Sequence, residues 1–120
     1  MGKKLFFVVV VLGLFGPMAA LISVPFLTNV ALAAKSHAAE AVEHAKEAVE
    51  HGKQGHADVL VKHAEMALKH AEAAQKEKAN PHLAEGIKGL KDAVEHGKQG
   101  HADVATKAAE NAVMHLAEVK

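Results

Sequence analysis

A seven-residue register runs through the histidines of this chain. His37, His44 and His51 form one run, and His56, His63 and His70 form the next. After a short linker, His82 and His96 stand fourteen apart, as do His101 and His115. These ten are all the histidines present, and the two gaps in the register fall at Gly89 and Ala108. One imidazole per heptad on successive helices makes a stripe, and neutral imidazole is the commonest protein metal ligand. The stripe predicts metal binding.

The register is written on a duplication. The segment Ala48 to Val59 recurs without change at Ala93 to Val104, and the same offset carries His37 onto His82, Glu40 onto Glu85 and His70 onto His115. Such internal repeats decide the fold class before any local propensity does. Each copy reads as two helical arms around Gly-Lys-Gln-Gly. Gly52 and Gly97 suit left-handed helix caps, with Gly55 and Gly100 reversing the chain. Asp58 and Asp103 then fall in the first turn of the following arm, where the helix dipole favours an acid. Between the copies, Asn80 is placed as an N-cap and Pro81 at the first helical position. Ala38, Ala41, Val42, Ala45, Ala48 and Val49 keep helical spacing in the first arm, and Leu60, Val61, Ala64, Ala67, Leu68, Ala71 and Ala74 in the second. Short turns between amphipathic arms predict an all-α, antiparallel, up-down-up-down four-helix bundle built from two duplicated hairpins.

Residues 1–33 have a different character. Lys3 and Lys4 precede a long apolar run, which closes on Ala31-Leu32-Ala33. That order predicts a secretory signal cleaved after Ala33, with residues 34–120 as the exported domain in the periplasm. An uncleaved anchor is the alternative, the apolar run being long enough to span a bilayer. Every phenylalanine lies before residue 34, and the whole chain has no cysteine, so thiolate zinc, iron–sulfur and blue-copper sites are excluded. The exported part carries twelve lysines, without arginine, against fourteen acidic residues. With neither a basic patch nor a stacking aromatic residue, nucleic acid is not an expected partner. Metal ions are the expected partners, and the exported domain is expected to be a monomer that stays off the membrane once the signal is removed.

A heptad step rises about 10.5 Å, so two histidines of one run cannot share an ion. Each needs donors three or four residues away or on a neighbouring helix. On the first arm His37, Glu40, His44, Glu47 and His51 alternate steps of three and four, making a ridge of imidazoles and carboxylates. His82, Glu85, Gly89, Asp92 and His96 repeat it in depleted form; Glu40, Glu47, Glu85 and Asp92 are read first as solvated partners of lysine and second as ligands. Across an antiparallel hairpin, facing positions have a constant sum. This pairs His51 with His56, His44 with His63 and His37 with His70, then His96 with His101 and His82 with His115. Gly89 faces Ala108, so one whole pair is missing, which marks the pair as the working unit. Met66 and Met114 are read as packing residues, Met66 being also a soft donor within reach of His63.

The heptad histidines, the twice-written Ala-Val-Glu-His-Gly-Lys-Gln-Gly-His turn and the Asn-Pro-His-Leu start of the second half resemble the bacterial small metal-binding protein family. That resemblance covers about Ser36 to Val119. It implies a periplasmic four-helix bundle that binds several copper ions, accepts other divalent metals, and scavenges or buffers them. The sequence departs from the pattern at Gly89 and Ala108.

The reading from sequence is therefore a metal buffer using His37, His44, His51, His56, His63, His70, His82, His96, His101 and His115. Cu(II) is favoured because imidazole sites follow the affinity order that peaks at copper, with Ni(II) and Zn(II) weaker. No catalysis is expected, since Ser36 is the one serine after residue 33 and no buried acid–base pair is visible. The competing reading is a structural or interaction bundle of the envelope with incidental histidines. A haem bundle is disfavoured by the lack of large side chains to line a porphyrin pocket.

Overall fold

The computed structural model describes residues 35–120. The signal segment expected over residues 1–33 lies outside them. The described residues form four helices and no strand: α1 His37–Lys53, α2 Ala57–Glu77, α3 Pro81–Lys98 and α4 Ala102–Ala117. Each packs on its neighbours in the chain, α1 closes on α4, and the arrangement is a four-helix bundle. Among the described residues, no helix is long and apolar enough to cross a membrane.

Local chemistry sets the helix starts. Ser36 Oγ accepts from the Ala39 N–H at 3.2 Å, satisfying one of the free amides of α1. Asn80 Oδ1 accepts from the His82 N–H at 2.7 Å, and Pro81 opens α3, as its fixed φ favours. Asp58 and Asp103 lie in the first turns of α2 and α4, as expected. At the N-terminal edge Lys35 donates to Glu43 at 2.7 Å. This hydrogen bond holds the lysine above and the carboxyl below their ordinary ranges.

The turns correct the assignment of the capping glycines. Gly52 and Gly97 are not left-handed caps; they are buried inside α1 and α3. The left-handed residues are Gly55 and Gly100, both at φ 81°. Gly55 N–H donates to Gly52 O at 2.9 Å and His56 N–H to His51 O at 2.9 Å. These two bonds define a Schellman motif, with Gly55 after the cap residue Gln54. Gly100 and His101 repeat it on Gly97 and His96. Gly52 and Gly97 serve packing instead. A Cβ on Gly97 would stand 2.5 Å from Val61 Cγ2, and one on Gly52 would run into Thr106 and Leu60. Side chains there would force apart helices that the missing Cβ atoms allow to touch.

The core complements itself across the two copies. Its largest fully buried side chains are Leu60, Leu83, Leu90 and Leu116. The corresponding positions of the other copy hold Ala105, Ala38, Ala45 and Ala71. Each leucine is thus matched by an alanine in the other hairpin, so bulk and space alternate in a core otherwise lined by alanine. Among the exposed ion pairs that join the hairpins are Lys53 to Glu110 at 3.0 Å and Lys98 to Glu65 at 2.8 Å. They are the same pair written twice, and being exposed each contributes at most about 1 kcal/mol.

Candidate metal centre

The alanine faces of α1 and α2 set where the histidines go. Burying Ala41, Ala45 and Ala48 on one helix and Ala64, Ala67 and Ala71 on the other turns both imidazole stripes into one groove. All five pairings expected from the constant sum are present. Ring centroids are 5.4 Å apart for His37–His70, 5.9 Å for His44–His63 and 6.1 Å for His51–His56. In the second hairpin they are 6.0 Å apart for His82–His115 and 6.3 Å for His96–His101.

In the first hairpin the pairs are also linked to one another. His44 stacks on His70 at 5.6 Å and His63 on His51 at 5.3 Å, so six imidazoles form a continuous zigzag. The second hairpin has two separate pairs, because its middle level is packed shut. Gly89 is buried, and a Cβ there would lie 3.1 Å from Ala108 O and 3.1 Å from Ala112 Cβ. Helix contact has taken the space that an imidazole pair occupies in the first copy.

Two groups of three ligand atoms converge: His37, Glu40 and His70, and one heptad along, His44, Glu47 and His63. In the first, the two Nδ1 atoms are 3.1 Å apart. Glu40 Oε2 lies 3.0 Å from His70 Nδ1 and 3.6 Å from His37 Nδ1. A circle through three atoms so spaced has a radius of about 1.9 Å, just below the usual 2.0–2.1 Å of a metal–nitrogen bond. One ion slightly above their plane would reach all three. In the second group Glu47 Oε2 lies 3.1 Å from His44 Nδ1 and 2.8 Å from His63 Nδ1. The shorter contact is outside hydrogen-bonding geometry, so the buried Nδ1 of His63 keeps its lone pair or proton unsatisfied. Both groups offer the same set of donors, Nδ1, Nδ1 and Oε2. Glu40 and Glu47, which the sequence favours as solvated partners of lysine, are turned instead to imidazole.

Glu77 was not among the candidates. Its Oε1 lies 3.7 Å from His37 Nε2, the ring nitrogen facing away from the group. The signal was available, because Glu77 stands one heptad beyond His70.

Other candidates are not gathered. His82, His115 and Glu85 have the composition of the first group but form no group of three, and Glu85 and Asp92 are exposed. Helix α4 ends two residues after His115, whereas α2 runs on past His70 to Glu77. Met66 and Met114 are not packing residues: they are exposed, at 37% and 63%.

Fold and groove together define a class: a helical bundle carrying imidazole and carboxylate groups at the spacing of a divalent metal. The family model described as Small metal-binding protein matches residues 11–119, and the chain belongs to that family. No curated protein is similar enough to the chain to count as a match.

Proposed function

We propose that this protein is an exported buffer or scavenger of divalent metal, chiefly copper, with no catalytic activity. The observation that carries the reading is the repeated convergence of two Nδ1 atoms and one carboxylate oxygen from α1 and α2. A neutral imidazole pair with one carboxylate suits a borderline divalent ion, and at such donors Cu(II) outranks Ni(II) and Zn(II). Family membership supports the metal-binding role. The charged, apolar and small-residue order of residues 1–33 supports export to the periplasm.

In this reading the helices run antiparallel, up-down-up-down. The ring pairs support it, since His37–His70, His44–His63 and His51–His56 share one sum of residue numbers. The two triads are the primary sites and the remaining histidines lower-affinity reserves. Such a distribution lets a buffer respond over a range of metal concentrations.

Calorimetric titration of the exported domain with Cu(II), Ni(II) and Zn(II) tests this. The expected result is tightest binding for Cu(II), with Glu40→Gln and Glu47→Gln together weakening the first two equivalents at least about tenfold, or 1.4 kcal/mol. Binding that ignores both carboxylates, or ranks zinc above copper, would overturn it.

A further inference from the structure

We propose that the two turns, His51 with His56 and His96 with His101, form separate sites for a soft monovalent d10 cation such as reduced copper. The inference rests on the metal-binding reading above and divides its ligands by the charge of the ion they hold.

The turn motif itself builds these pairs. In a Schellman motif the residue three before the cap and the second residue after it are brought into contact, usually as an apolar pair. Here those positions are His51 and His56, tied by the His56 N–H to His51 O bond, and again His96 and His101. Apolar contact has been replaced by two facing imidazoles in both copies. The Nδ1 atoms of His51 and His96 are buried and have no hydrogen-bond partner. A buried ring nitrogen in that condition is destabilising unless something coordinates it.

The donor set differs from that of the triads. Three residues after His37 and His44 stand Glu40 and Glu47, but three after His51 and His96 stand Gln54 and Gln99. Among the described residues, no carboxylate gathers with either turn pair into a group of three. Two neutral donors leave the full charge of an ion uncompensated, which disfavours a divalent ion relative to a monovalent one.

Spacing points the same way. With metal–imidazole bonds of about 2.0 Å and a ring nitrogen about 1.1 Å from its centroid, two imidazoles in line through one ion stand about 6.2 Å apart, against about 5 Å at a tetrahedral angle. The turn pairs are 6.1 and 6.3 Å apart, and the His37–His70 pair of the first triad is 5.4 Å apart; His82–His115, at 6.0 Å, is similarly spaced but has no buried, unpartnered ring nitrogen. Linear two-coordination is the habit of closed-shell monovalent copper and silver. At His44–His63 the rings are 5.9 Å apart, and there the Glu47 carboxylate decides the preference.

The test uses Ag(I) as a monovalent probe that does not change oxidation state and Zn(II) as its divalent counterpart. Bound equivalents are counted on the full exported domain by competition with a chelator. His56 and His101 are exposed and neither caps its helix through its side chain, so His56→Ala with His101→Ala leaves the fold standing. That double variant is expected to lose about two silver ions but not the two triad zinc ions. Glu40→Gln with Glu47→Gln is expected to weaken zinc and not silver. An unchanged silver count in the first variant, or equal loss of silver in the second, would overturn the assignment. If zinc binds the triads while silver ignores the turns, this inference alone falls. Failure of both metals to bind the wild type would remove the metal-binding reading as well.

Discussion

Replacing His44 and His63 together with alanine is expected to lower the number of tightly bound divalent ions by one. Both rings contribute Nδ1 to a single group, and Glu47 alone cannot hold an ion that has lost two of its three donors. Either replacement alone leaves one imidazole and the carboxylate, so the ion stays but binds at least about tenfold more weakly, or 1.4 kcal/mol. The two rings line a groove at the edge of the core, so their loss opens no core cavity, and helix content should not change. Metal analysis after equilibration against a weak chelator supplies the count. A double variant that retains every ion would mean that the facing pair is not the binding unit.

Loading with metal is expected to stabilise the bundle strongly. The core consists mostly of alanine with four large leucines, and a domain this small has little margin. A ligand that binds only the folded state at a hundred times its dissociation constant adds about 2.7 kcal/mol per site. Two triads therefore add about 5 kcal/mol, and at about 4–8 °C per kcal/mol for a domain of this size Tm rises by about 20 °C or more. Each triad spans α1 and α2, so the metal links the two helices directly. Thermal unfolding followed with free Zn(II) at about a hundred times its dissociation constant, then with excess chelator, checks this. A Tm that does not move, or that moves and is not reversed by the chelator, would argue for an envelope spacer with incidental histidines.

The sequence made much of the groove legible, because the heptad spacing of histidine is also the spacing of helix contacts. With helical arms, the constant sum specifies all five ring pairs, and the step of three puts Glu40 and Glu47 within reach of the histidines. Whether those carboxylates turned to lysine or to imidazole depended on how α1 rotates to bury Ala41, Ala45 and Ala48, which is a property of the packed bundle. The turn glycines were harder for a similar reason. Each turn contains two glycines three residues apart, and either could supply a left-handed residue. Burial decides between them: Gly52 lies beneath Leu60 and Thr106, and Gly55 is exposed and free to take φ 81°. The second hairpin shows the same limit. His82, Glu85 and His115 match the first triad residue for residue, and only the packed bundle reveals that the three do not converge, although the two rings pair.

The most direct test is nitrogen-resolved NMR of the histidine rings during titration of the exported domain with Zn(II). The Nδ1 resonances of His37, His70, His44 and His63 should move together over the first two equivalents. If Nε2 atoms become the ligands, or if rings of the second hairpin respond first, the two-helix triad is not the site.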